Sequence, residues 1–174
     1  AHAARACLQD NFCGGVGVTK YGHVNGEIAN VACFEGGHPV PDENSLRGTD
    51  AALALTEDLT ESDTVVFLLS GGGSALFEKP LLPLAELQDV TNQLLAAGAD
   101  IVEINTIRKR LSAVKGGRFA RHCAPAQVFA VVLSDILGDP LDMIASGPAY
   151  PDSSSCAQAR DIATRYGLRL SARA

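Results

Sequence analysis

The chain has 174 residues, 47% of them hydrophobic, with a formal net charge of −6 and an isoelectric point near 5.1. That is enough apolar material for one sizeable core, and the negative balance argues against a nucleic-acid or anionic-membrane partner. No apolar stretch approaches the roughly 18 to 20 residues needed to cross a bilayer, and no signal-peptide pattern opens the chain.

The first residues, AHAARACLQDNF, keep helical spacing at Ala4, Cys7 and Leu8 with nothing to cap their start, as in a helix entered partway. GVGVTK and IANVACFEGG read as strands. In the following loop, Asp42, Asn44 or Ser45 is placed to cap the alanine-rich helix LRGTDAALALTEDL. DTVVFLLS, residues 63–70, is a continuous apolar run of strand length, expected where both faces of a parallel sheet are covered. PLAELQDVTNQLLAAG carries Leu84, Leu87, Val90, Leu94 and Leu95 at helical spacing and stops at Gly98. AQVFAVVLSD is a second buried strand and CAQARDIATRYGL a last helix. Alternation of strand and helix predicts βαβ units in a layered α/β, Rossmann-like domain with a mostly parallel sheet. The cysteines Cys7, Cys13, Cys33, Cys123 and Cys156 have no C-x-x-C or zinc spacing and are expected as small buried thiols in a reducing compartment, so the chain is expected to be cytoplasmic.

Three segments carry chemistry. In LLSGGGSALFEKP the residues Ser70, Gly71, Gly72, Gly73 and Ser74 form a glycine turn at a strand's carboxyl end, where open α/β sheets bind ligands. Glycine lets backbone N–H groups approach an anion and serine hydroxyls add donors, so a phosphate or carboxylate fits there. Neither a P-loop nor a G-x-S-x-G nucleophile elbow matches the spacing.

The second segment, NTIRKRLSAVKGGRFARHC, holds six of the chain's 14 Lys and Arg, and no acid occurs from Ile104 through Ser134. On a continuous helix, Ile104, Ile107, Leu111 and Val114 share a core face. Asn105, Arg108, Ser112 and Lys115 occupy the adjoining arc, while Lys109 and Arg110 point away toward solvent. Gly116 and Gly117 end the helix. In the third segment, VLSDILGDPLDMIASGP, Asp135, Asp139 and Asp142 follow a strand end and suit Mg²⁺ binding, proton transfer or helix capping. Ser146, Gly147 and Pro148 form a turn that either connects elements or lines the same crevice. His23 and His38 stand in turn-like sequence and are read as loop or capping residues.

TKYGH, GGHPVPDENS, LLSGGGSALFEKP, LLAAGADIVEINTIRKRLSAVKGGRFA and LSDILGDPLDMIASGPAYPD occur in an order that resembles the glycerate 2-kinase family, whose members are often labelled hydroxypyruvate reductase. The resemblance runs from Thr19 to Tyr166. It implies ATP-dependent phosphorylation of D-glycerate at the 2-hydroxyl with Mg²⁺ or another divalent cation, in a cleft between two domains. It further implies that residues 1–174 are an incomplete first domain, with a lysine-bearing "GKA" segment upstream and the carboxyl-terminal domain missing, and that the chain alone has little or no kinase activity. Carried over by motif, Ser70, Gly71, Gly72, Gly73, Ser74 and Asn105 bind substrate or phosphate, Arg108 and Lys115 neutralise charge, and Asp135, with Asp139 as its substitute, binds metal or orients the attacking hydroxyl. A reductase using NAD(P)H is the alternative, but no G-x-G-x-x-G fingerprint follows a strand. A non-catalytic, anion-binding α/β remnant is the third reading.

Overall fold

The computed structural model describes residues 1–134 and 140–172. Helix α1 (His2–Leu8) has no side-chain cap and leads into a parallel pair of strands, β1 (Gly15–Lys20) and β2 (Val31–Gly36), in register from Gly15 opposite Val31 to Lys20 opposite Gly36. Helix α2 (Glu43–Leu55) packs on that pair. Of the three cap candidates, Asp42 is the N-cap: its carboxylate accepts from the Ser45 N–H at 2.9 Å, and the Ser45 hydroxyl in turn accepts from the Asp42 N–H, a reciprocal capping box.

The second pair joins β3 (Thr64–Leu69) to β4 (Gln127–Val132), again parallel, with Leu69 opposite Val132. Between them the chain forms α3 (Gly73–Leu76), α4 (Leu84–Ala96), α5 (Ile101–Arg110) and α6 (Arg118–His122); α7 (Cys156–Arg165) follows β4. The expected α/β class and parallel pairing are present, although the strands form two separate pairs among the described residues. Gly98 takes the left-handed conformation at φ 75°, and the N–H groups of Gly98 and Ala99 return to the carbonyls of Leu95 and Leu94, closing α4 in a Schellman motif.

Three apolar clusters build the core. One joins Leu87, Val90 and Leu94 of α4 to Ile104 and Ile107 of α5 and Ala159 and Ile162 of α7. A second surrounds the rings of Phe67, Phe77 and Phe119, whose centroids lie 5.0–5.3 Å apart. The third packs Leu69 against Ile144 and Ala145 and ties the end of β3 to the 3₁₀ turn Ile144–Ser146.

Four expectations need correction. β3 and β4 are not covered on both faces: Val66, Leu68, Phe129 and Val131 are 38–60% exposed on one side, while Phe67 and Leu69 pack inward on the other. A continuous apolar run does not by itself distinguish one covered face from two. Leu95 is exposed, because the apolar stripe of α4 runs through Leu87, Val90 and Leu94. Of the cysteines only Cys123 is buried, and Cys7, Cys13, Cys33 and Cys156 are exposed free thiols.

The fourth correction concerns α5, which ends at Arg110 and does not continue to Lys115. The Leu111 carbonyl accepts from Leu81 N–H at 2.9 Å and the Ala113 N–H donates to Lys79 at 2.7 Å, so residues 111–113 lie beside 79–81 in a short antiparallel bridge. Tertiary pairing satisfies backbone groups that one more helical turn would have used. Val114 consequently joins the aromatic cluster rather than the core face of α5. Among the described residues no helix is long and apolar enough to cross a membrane.

Candidate functional site

The glycine turn leaves β3 at Ser70 and enters α3, beside the carboxyl end of β4, where Leu133 N–H donates to Leu69 at 2.9 Å. A cleft of about 320 Å³ opens there, lined by Leu68, Leu69, Ser70, Val131, Val132 and Leu133. Part of the demand for glycine is local packing. Gly72 has φ 90°, and a Cβ on it would stand 3.0 Å from the ring of His38. A Cβ on Gly73 would meet Ala145 Cβ at 2.7 Å and Leu69 at 2.8 Å. The His38 imidazole and the 144–147 turn therefore close on the glycine backbone from two directions.

That second turn is strained. Ala145, Ser146 and Gly147 occupy consecutive left-handed conformations at φ 51°, 63° and 61°, which cost a non-glycine residue about 1 kcal/mol or more each. Their surroundings hold them there. Gly116 N–H donates to the Ser146 carbonyl at 3.0 Å and Gly117 N–H to that of Gly147 at 2.8 Å. The fully buried Ser146 hydroxyl donates to Asn105 Oδ1 at 2.8 Å and lies 3.3 Å from the Ser74 hydroxyl, while Asn105 Nδ2 donates to the Met143 carbonyl at 2.9 Å. Asn105 is thus the hub between α5, the strained turn and the glycine turn.

Two cations approach the same region. Lys115 is wholly buried: its ammonium donates to the carbonyls of Ser74 and Phe77 at 2.9 and 3.0 Å and sits 3.5 Å from Glu78 Oε2. Burial pushes this lysine below its ordinary value, Glu78 opposes the shift and Arg108 adds to it. Arg108, 8% exposed, donates no side-chain hydrogen bond to any described residue; burial lowers it too, against the field of Glu78. The proposed arc thus converges, although Lys115 reaches it from the segment after α5 rather than from the helix.

Lys109 and Arg110, expected in solvent, are instead tied down by carboxylates. Lys109 is wholly buried and paired with Asp142 at 3.0 Å and Asp152 at 3.2 Å. Arg110 binds Asp152 at 2.9 Å and the carbonyl and hydroxyl of Ser154. Residues 142–154 return along α5 and supply acceptors that helical periodicity cannot foresee. Asp142 is accordingly an ion-pair partner. A larger cleft of about 500 Å³ is lined in part by Arg110, Arg118, Arg121 and Tyr150.

Asp135 and Asp139 lie outside the described residues. Among those described, no group of three or more His, Cys, Asp or Glu side chains could hold a metal. Sequence reasoning passed over Glu78, whose signal was a lone acid beside an apolar run. It set His38 aside as a loop residue and left Ser146 as one of two readings of a turn.

The whole chain, residues 1–174, matches the family described as Domain of unknown function (DUF4147). The chain belongs to that family. It is 55% identical over 173 residues to the D-glycerate 2-kinase of Thermotoga maritima, covering 98% of this chain and 42% of that protein. It is 42% identical over 172 residues to an Agrobacterium vitis protein with a hydroxypyruvate reductase name, covering 98% of this chain and 39% of the relative. Its backbone matches the crystal structure of the Thermotoga maritima glycerate kinase with a TM-score of 0.95 at 54% identity, over 99% of this chain and 42% of that one. The five-motif resemblance and the α/β class are borne out. The chain spans about two fifths of the length of these relatives.

Proposed function

We propose that the full-length protein phosphorylates D-glycerate at its 2-hydroxyl using ATP, and that the glycine turn belongs to the site of transfer. The observation that carries this reading is the meeting of Asn105, Ser74 and Ser146 around a glycine turn at the carboxyl ends of two parallel strands, with Arg108 near enough to Glu78 and Lys115 to feel their charge, in a chain 55% identical to a D-glycerate 2-kinase. Glycerate offers a carboxylate and a hydroxyl, and the transferred phosphoryl group carries further negative charge. Catalysis of such a transfer is mostly positioning and charge neutralisation.

In this reading Arg108 neutralises the glycerate carboxylate or the phosphoryl oxygens, because its guanidinium has donors to spare. Ser70, Gly71, Gly72, Gly73 and Ser74 supply backbone and hydroxyl donors, and Asn105 holds the two turns together. Asp135 and Asp139 remain the proposed ligands for a divalent cation, on sequence alone; such a cation would offset charge on the nucleotide phosphates. Asp142 and Asp152 are committed to Lys109 and take no such role. Four exposed thiols suit a reducing compartment, and we place the protein in the cytoplasm on that ground.

The test incubates purified full-length protein with ATP, Mg²⁺ and D-glycerate, and separately with NADH and hydroxypyruvate. Glycerate-dependent ADP and 2-phosphoglycerate formation is expected. NADH oxidation without ADP formation would replace the kinase by a reductase.

A further inference from the structure

Glu78 is 1% exposed, and both carboxylate oxygens lack a hydrogen-bond partner among the described residues. A buried carboxylate in that condition is costly, so its retention needs a reason. Its backbone N–H donates to the Thr49 hydroxyl at 3.0 Å, which anchors the residue to α2. Its side chain faces Lys115 at 3.5 Å, and its field also reaches Arg108.

An ammonium group has three donors and no acceptor. Lys115 directs two of them at the carbonyls of Ser74 and Phe77, at the end of the glycine turn and just beyond it, and its ammonium forms an ion pair with Glu78 at 3.5 Å without a hydrogen bond. The side chain is wholly buried and offers no exposed surface to a substrate. We propose that the Glu78–Lys115 pair is a strut that fixes the glycine turn from behind, making both positioning residues and leaving Arg108 as the cation that meets the anionic ligand. Glu78 opposes the loss of charge that burial imposes on Lys115; Lys115 gathers two main-chain carbonyls that would otherwise let α3 unwind. This rests on the glycerate-phosphorylating reading for its kinetic consequence, but its structural consequence does not.

Two measurements on the full-length protein test the strut, using Glu78→Gln, which preserves shape, beside Lys115→Met and the double variant. Hydrogen exchange of the peptide covering residues 70–79 should quicken at least tenfold in Glu78→Gln at a temperature where the variant remains folded. In the same variant kcat/KM for D-glycerate should fall at least tenfold. The double variant should lose no more than the worse single one, because both substitutions release the same turn. Unchanged exchange overturns the strut. Faster exchange with kcat/KM within twofold of wild type makes the pair merely structural and also overturns it. A loss in Lys115→Met more than tenfold beyond that in Glu78→Gln, at equal exchange, returns Lys115 to direct contact with substrate. If the wild-type protein forms no ADP with glycerate, the proposed function fails and the exchange result alone decides the strut.

Discussion

Neighbouring cations of the basic segment 105–121 serve different ends. Lys109 is paired with two carboxylates, and Arg110 with Asp152 and Ser154, a network that ties Asp142 and residues 152–154 to the helix. Asn105 and Lys115 instead hold the strained turn and the glycine turn, one acid, Glu78, acts on both Lys115 and Arg108, and Arg108 donates no hydrogen bond to any described residue. Charge that is fully matched internally stabilises a fold; charge left in excess beside a glycine turn is available to a ligand. The basic segment of this chain thus divides at Arg108 and Lys109, one residue apart, into the half proposed for binding and a half held in internal ion pairs.

The largest expected effect breaks the structural half. Lys109→Met leaves Asp142 and Asp152 without their shared cation and should cost about 3–5 kcal/mol, the range for breaking a buried pair, read from urea unfolding of the full-length protein. KM for D-glycerate in the folded variant should hardly change. Asn105→Leu comes next, since it strands the Met143 carbonyl and removes the acceptor of Ser146. About 2 kcal/mol of stability should go, with kcat/KM falling as the strained turn relaxes. Arg108→Ala should lower kcat/KM at least tenfold, about 1.4 kcal/mol in transition-state binding, with a smaller change in unfolding midpoint because no described hydrogen bond is lost.

Acid titration sharpens the contrast without a deletion. Burial pushes Asp142 and Asp152 up, yet hydrogen bonds from Ser153 to the first, from Ser154 to the second, and from Lys109 to both outweigh it and hold the two carboxylates below their ordinary value. Their stabilising contribution is present above the unfolded value of about 3.9 and is lost as pH falls through it toward the lower native values. Lys109→Met should flatten that part of the stability profile between pH 5 and the acid limit, whereas Arg108→Ala should leave it intact.

Much of this arrangement was legible in the residues and some was not. The apolar run ending in Ser70 and three glycines placed the turn at a strand end, and Gly98 and Asp42 marked helix boundaries because caps are local chemistry. The end of α5 was not legible, since Leu111 and Ala113 give their backbone groups to residues 79–81, a tertiary choice that local spacing does not encode. Lys109 was misplaced for the same reason: its acceptors lie 33 and 43 residues away. Glu78 escaped because a lone acid in an apolar segment has no pattern; only burial beside Lys115 gives it meaning. The bare face of β3 and β4 shows the reverse case, where an apolar run suggested more cover than the described chain supplies.

The most direct measurement is a side-by-side determination of kcat/KM for D-glycerate in full-length Arg108→Ala and Lys109→Met, each well below its unfolding midpoint. A fall of at least tenfold in the first and less than threefold in the second is expected if the functional boundary runs between these neighbours. An unchanged Arg108→Ala, or a larger kinetic loss in Lys109→Met, would contradict that division and move the site away from the glycine turn.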